Sequence, residues 1–155
     1  MYEVPIRLMT GKKWKIREAG FGIGWGLDRM IEAGVIGEYA GCEPCRESFD
    51  YVKKAHGSKE NLTLTHAGFS HDGKKYDHVF CIEVIEHVPM DGHEDFLSAL
   101  RASTNGTLWM STPDKRKHPC EGVRTCDEWR ELLRIAGFGD VTMHREQWTV
   151  LFIAQ

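Results

Sequence analysis

Two segments and a single glutamate in this 155-residue chain have residue types and spacings suited to chemistry. The first segment is Glu18-Ala19-Gly20-Phe21-Gly22-Ile23-Gly24-Trp25-Gly26, in which strand-like residues run into closely spaced glycines ahead of a helical pattern. Glycine admits backbone angles closed to other residues and lets a ligand approach the main chain. The helix start behind it presents unpaired N–H groups, so the turn suits a nucleotide-type cofactor. The dinucleotide fingerprint requires G-x-G-x-x-G/A, whereas Trp25 stands three residues beyond Gly22 and Leu27 three beyond Gly24, which disfavours NAD and FAD. Glu43 lies about twenty residues after the turn, at the end of a second strand, placed to accept hydrogen bonds from ribose hydroxyls.

The second segment holds Glu83, Glu86 and His87, spaced i, i+3, i+4, which share one face if the chain turns helical there. His118 follows the next strand, and in an open α/β sheet both positions fall at carboxyl ends of strands, where ligands collect. Two carboxylates and two imidazoles suit Mg²⁺ or Mn²⁺, and a metal there would bind acceptor hydroxyls and lower their pKa. Without a metal, His87 beside Glu86 is the candidate general base. The run Lys115-Arg116-Lys117 next to His118 either contacts phosphate, as an RNA would offer, or is a solvated loop. The net charge of −3 favours the loop.

The elements that must carry these residues alternate short strand-like runs with amphipathic stretches, which indicates a parallel α/β sheet. Strands are expected over 14–19, 39–43, 62–64, 78–82 and 107–111, with a closing hairpin from Val141 to Ile153. Helices are expected from the recurrence of Leu27, Met30 and Ile31, of Phe49, Val52 and Ala55, of Phe96, Leu97 and Leu100, and of Trp129, Leu132 and Leu133. Asp91 with Glu94 and Thr125 with Glu128 fit the capping-box pattern ahead of the last two. Trp25, Trp109, Trp129 and Trp148 are assigned mostly to core faces. Lys15 and Arg17 are foreign to a central strand buried on both sides.

Hydrophobic residues make up 41% of the chain, enough for one domain, and no global positive field steers it to nucleic acid or an acidic membrane. The segment 1–9 lacks an uninterrupted apolar run, so a soluble, cytoplasmic protein without membrane contact is expected. Cys42, Cys45, Cys81, Cys120 and Cys126 are odd in number and read as reduced thiols, with core packing preferred over a zinc or redox role for Cys42-x-x-Cys45.

Glu18, Gly20, Gly22 and Gly24 resemble the first motif of the class I S-adenosylmethionine-dependent methyltransferases, an acidic residue followed by G-x-G-x-G. The resemblance continues through Tyr39-Ala-Gly-Cys-Glu43-Pro44, through 76–88 with Glu83, Glu86 and His87, and through 106–113 and 129–138. It covers nearly the whole chain after Lys12 in collinear order. It implies an α/β fold, a three-layer Rossmann-like doubly wound sheet that is mainly parallel with an antiparallel closing strand, formed as one domain. It also implies S-adenosylmethionine as cofactor. Glu18 and the backbone of Gly20, Gly22 and Gly24 would hold the methionine end, Glu43 the ribose with Pro44 beside it, and Gly68 and Phe69 the adenine, with Cys81 also among the cofactor-binding residues. Phe69 stands where the family often has an acid, so the base would be held by stacking and backbone bonds.

The E-x-x-E-H segment with a later histidine is similar to that of metal-dependent small-RNA 2′-O-methyltransferases, and a related segment occurs in ubiquinone-pathway O-methyltransferases. O-methyl transfer to a small molecule or an RNA 3′ end is the implied activity, and it asks mainly for alignment of the acceptor. With scarcely any cap before the first strand, the acceptor site is expected to be open, or completed by a homodimer or a partner chain. The alternatives are a cofactor-binding regulatory or partner subunit without turnover and an NAD-dependent oxidoreductase.

Overall fold

The protein is described by a computed structural model over residues 1–115, 123–145 and 148–155. Its helices form where apolar residues recur at helical spacing. Leu27 and Met30 bury one stripe of α2 (Trp25–Glu32), Phe49 and Val52 one of α3 (Arg46–His56), Leu97 and Leu100 one of α4 (His93–Ser103), and Trp129 and Leu133 one of α5 (Cys126–Ile135). The Thr125 hydroxyl accepts from the Glu128 N–H at 3.3 Å and the Glu128 carboxylate accepts from the Thr125 N–H at 2.7 Å, the expected capping box. Asp91 and Glu94 make no such box. Asp91 lies in a 3₁₀ turn, Met90–Gly92, and α4 starts one residue later at His93, whose ring bonds the Val88 carbonyl at 2.9 Å and Arg124 at 3.0 Å.

The strands are β1 (Trp14–Ala19), β2 (Ile36–Cys42), β3 (Leu62–Thr65), β4 (Tyr76–Ile82), β5 (Thr104–Pro113), β6 (Val141–Arg145) and β7 (Thr149–Ala154). They form one sheet in the order β3-β2-β1-β4-β5-β7-β6, parallel from β3 to β5 and closed by β7 antiparallel to β5 and β6 antiparallel to β7. The strand order reverses between β1 and β4, so the crevice above their carboxyl ends is the position where open α/β sheets bind ligands.

One face of the sheet packs Ile16, Tyr39, Phe80, Trp109 and Leu151 under α2, α3 and a first helix, α1 (Glu3–Met9). The sequence reading left no helix here. Pro5 sits in the first turn, where its missing N–H costs no bond, and the short helix is held by the burial of Tyr2, Pro5 and Met9. The other face packs Val79, Cys81, Leu108, Met110 and Phe152 under α4 and α5.

No helix connects β3 to β4, so this second helical layer is incomplete: on that side Arg17, Ala40, Thr63 and Thr65 face the loop 66–75. This explains the charges in β1. Arg17 is buried, pairs with Asp72, donates to the Ser70 carbonyl at 2.7 Å and lies 4.9 Å over the Phe69 ring, so it ties the loop to the sheet. Lys15 stays exposed beside Glu38 at 3.7 Å. A cavity of about 160 Å³ remains between loop and sheet, lined by residues including Arg17, Thr63, Thr65 and Gly68.

The core placement expected for the tryptophans and for Cys45 is corrected, while the described cysteines are free thiols as expected. Trp109 and Trp129 are buried, but Trp25 and Trp148 are half exposed at the rim of the carboxyl ends. Among the described cysteines, Cys42 and Cys81 are buried and Cys45 is exposed, all as free thiols, while Cys120 lies outside the described residues. Among the described residues no helix is long and apolar enough to cross a membrane.

Candidate cofactor and transfer site

The three glycines after β1 all take left-handed backbone angles, φ +66°, +55° and +85° for Gly20, Gly22 and Gly24. A Cβ on Gly20 would stand 2.7 Å from Val84, and one on Gly24 2.9 Å from Val52, so these two let the turn settle against its neighbours. A Cβ on Gly22 would meet nothing within 4 Å, which makes Gly22 the glycine whose backbone is open to a ligand.

Glu43 follows β2 directly and is buried. One carboxylate oxygen accepts from the Gly22 N–H at 2.8 Å and the other from the Cys45 N–H at 2.8 Å, so it clamps the glycine turn to the start of α3, where a negative charge is favoured. Each oxygen retains acceptor capacity for a hydroxyl.

Glu18, expected at the methionine end of the cofactor, is engaged by side chains of the chain itself. It is buried, and its two carboxylate oxygens accept from the Tyr2 and Tyr39 hydroxyls. Each tyrosine has a glycine seat. A Cβ on Gly26 would stand 2.3 Å from the Tyr2 ring, and one on Gly41 2.6 Å from the Tyr39 hydroxyl. Burial pushes the Glu18 carboxyl up to about 7 against the lowering effect of both hydrogen bonds, and both tyrosines are raised well above their usual value by their own burial and by Glu18. The sequence reading missed Tyr2 and Tyr39. The available signals were an acid in a strand interior, which needs buried donors, and a glycine on the apolar stripe of α2, which leaves room for a bulky neighbour.

The segment after β4 does not continue as one helix. Glu83 has φ +55°, rare for a side-chain-bearing residue, and precedes a 3₁₀ turn, Ile85–His87, so Glu83, Glu86 and His87 do not form the continuous helical face that their spacing offered. Ser111 holds Glu83 in place: its hydroxyl donates to the Glu83 carboxylate at 2.6 Å and its carbonyl accepts the Glu83 N–H at 3.2 Å. Glu86 is half-buried, with one carboxylate oxygen buried and lacking a hydrogen-bond partner. Burial, and then the charge of Glu83, raise it to about 7. His87 is exposed. Among the described residues no three His, Cys, Asp or Glu side chains form a group that could hold a metal ion, and His118 lies outside them, as do Arg116 and Lys117.

The remaining assigned residues lie after β2, after β3 and near the end of β4. Pro44 is exposed, and its carbonyl bonds the His66 ring at 3.0 Å. Gly68 is exposed, and a Cβ there would meet nothing within 4 Å. Phe69 is half-buried with its ring between Arg17 and Phe96, and Cys81 is fully buried at the end of β4 with its thiol raised by burial. The fold thus brings the glycine turn, Glu43 and the 83–87 segment to neighbouring carboxyl ends of β1, β2 and β4.

No protein-family model matches the sequence, and no curated protein shows significant similarity to it. Solved structures do resemble the chain. The magnesium protoporphyrin IX methyltransferase of Synechocystis PCC 6803, with S-adenosylmethionine bound, superposes with a TM-score of 0.75 at 18% identity over 99% of this chain and 76% of that one. An S-adenosylmethionine-dependent methyltransferase from Mesorhizobium loti gives 0.75 at 13% identity over 100% and 98%. The methyltransferase domain of the bacterial protein CtHen1-C gives 0.77 at 17% identity over 99% and 93%. The chain therefore has the Rossmann-like fold of S-adenosylmethionine-dependent methyltransferases.

Proposed function

We propose that this protein is an S-adenosylmethionine-dependent methyltransferase that acts on a hydroxyl acceptor. The observation that carries the reading is the open Gly22 backbone held by the Glu43 clamp at the point where the strand order reverses. A sulfonium nucleoside fits this cradle. Gly22 allows close approach, Glu43 offers lone pairs to the ribose hydroxyls, and the exposed Gly68 leaves space at the base end.

When bound, S-adenosylmethionine supplies a methyl group already activated on sulfur, so the chain's own residues have to align the acceptor and remove its proton. Glu86 fits the second task. Its carboxyl ionises around neutrality, and the residue is only half-buried, so its outer edge can meet an acceptor hydroxyl while the buried oxygen, lacking a hydrogen-bond partner, keeps the group basic. His87, next in sequence and exposed, is placed to pass the proton on to solvent. Glu83, fixed by Ser111, orients the acceptor. The donor set among the described residues does not make a metal site, and His118, the fourth candidate donor, lies outside them. The half-exposed ring of Trp25 beside the glycine turn suits an acceptor with a planar ring, whether a small phenolic molecule or the end of an RNA.

The test is calorimetric titration with S-adenosylmethionine and S-adenosylhomocysteine, with and without Mg²⁺ or Mn²⁺ and with NAD as control. Binding of both sulfur compounds, weakened at least tenfold by Glu43→Ala, with no binding of NAD, is expected. Binding of neither overturns the reading.

A further inference from the structure

The methyl-transfer reading gives no task to the buried cluster of Glu18, Tyr2 and Tyr39, although the fold is built around it. Burying a carboxyl costs free energy that an apolar residue would avoid, and here two glycine seats and two tyrosine hydroxyls are arranged to hold one. The two tyrosines are not equivalent. Tyr39 lies between β2 and the glycine turn, where a Cβ on Gly41 would touch both its hydroxyl and Phe21.

Tyr2 precedes α1 and lies over the reversal point. Its ring stacks on Phe80 of β4 at 5.7 Å and 14°, meets Trp25 edge-on at 5.7 Å, and has Cys81 and Glu83 as electrostatic neighbours. Its hydroxyl, bonded to Glu18, is therefore beside the ends of β1 and β4. Because its proton is committed to Glu18, the oxygen keeps two acceptor lone pairs, and the bond to a carboxylate makes them more negative.

Building on the donor assignment above, we propose that Tyr2 is a positioning residue for the sulfonium end of the methyl donor, its oxygen accepting the polarised C–H groups next to the positive sulfur. In this arrangement Glu18 acts through Tyr2, and the residue that opens α1 becomes part of the donor site. A phenylalanine would fill the same seat between Phe80 and Trp25 but would offer no oxygen.

The experiment compares the affinities of S-adenosylmethionine and S-adenosylhomocysteine, which differ by the methyl group and the positive charge, in wild type, Tyr2→Phe and Tyr39→Phe. The wild type is expected to favour the sulfonium, and Tyr2→Phe to reduce that preference roughly three- to tenfold while S-adenosylhomocysteine binding stays within about twofold. Tyr39→Phe is expected to shift both ligands equally. Gly26→Ala, whose new methyl displaces the Tyr2 ring, should reproduce the loss of preference and serves if Tyr2→Phe does not fold. An equal loss for both ligands in Tyr2→Phe, or an unchanged ratio, would show that Tyr2 only packs and overturns the proposal. If wild type binds S-adenosylhomocysteine but has no preference for the sulfonium, the donor assignment stands and the Tyr2 proposal falls. If wild type binds neither, both fall.

Discussion

Glu18 and Glu86 are both raised to about 7 by burial at neighbouring strand ends, yet their surroundings are opposite. Glu18 has both oxygens taken by tyrosine hydroxyls on seats made for them, whereas Glu86 keeps a buried oxygen without a hydrogen-bond partner, next to the charge of Glu83. The same shift therefore reports two different jobs. A carboxyl with satisfied oxygens holds structure together and tunes what its partners offer. A carboxyl with an unused oxygen is poised to exchange a proton. Stability measurements should single out the first and transfer kinetics the second.

The largest effect is expected from Glu18→Ala, which leaves two tyrosine hydroxyls buried without acceptor. Urea unfolding should show a loss of roughly 2–5 kcal/mol. Glu86→Gln has no such partners to strand, and its folding free energy should stay within about 1 kcal/mol of wild type. If the two substitutions destabilise equally, the contrast between them is broken.

The contrast reverses for turnover. Once an acceptor is found by screening phenols and RNA ends, Glu86→Gln should lower kcat roughly a hundredfold, because the amide cannot take the proton. His87→Ala, which removes an exposed group, should cost about tenfold or less. A Glu86→Gln enzyme with normal kcat would move the base elsewhere.

Both carboxyls also set a pH dependence of stability. Each has a folded pKa raised from 4.5 to about 7, so between these values the folded state holds protons that the unfolded chain has released. Their contribution is full below about 4.5 and is lost as pH rises through about 7. Chemical unfolding across pH 4.5–8 should show this decline, and Glu18→Gln and Glu86→Gln should each remove roughly half of it, since both groups are raised alike. Binding of a cationic ligand should move in the other direction, tightening as the pH rises through 7 and the two acids ionise. A pH dependence left unchanged by both Glu18→Gln and Glu86→Gln would contradict the placement of both groups.

Much of this arrangement was legible in the residues, and the parts that were not share a cause. Glycine spacing, strand-like runs and the Thr125/Glu128 box act over a few residues, so β1, α2, the cap of α5 and the position of Glu43 follow from local pattern. Tyr2 and Tyr39 belong to the site only because β2 and α1 fold over Glu18, from 21 and 16 residues away, and no local spacing announces such pairs. The spacing of Glu83, Glu86 and His87 predicted a shared helical face. The Ser111 bond and the left-handed turn at Glu83 override it, a tertiary effect that periodicity cannot carry. Asp91 and Glu94 fit the capping pattern by composition alone, and the Met90–Gly92 turn puts Asp91 outside the helix start.

The charges of β1 separate in the same way and give the smallest expected effect. Arg17 and Lys15 point to the side of the sheet where no helix lies between β3 and β4. Arg17 is enclosed by Asp72, Ser70 and Phe69, whereas Lys15 meets Glu38 at 3.7 Å in solvent. An exposed pair of this kind contributes little, so Lys15→Thr should change stability by less than about 0.5 kcal/mol, and added salt should reduce even that. The threonine would match Thr63 and Thr65 on the same uncovered face, where polar side chains suit water. A loss of more than about 1 kcal/mol on Lys15→Thr would mean that this face is covered in solution. The polar character of β1 would then require an explanation other than an open sheet.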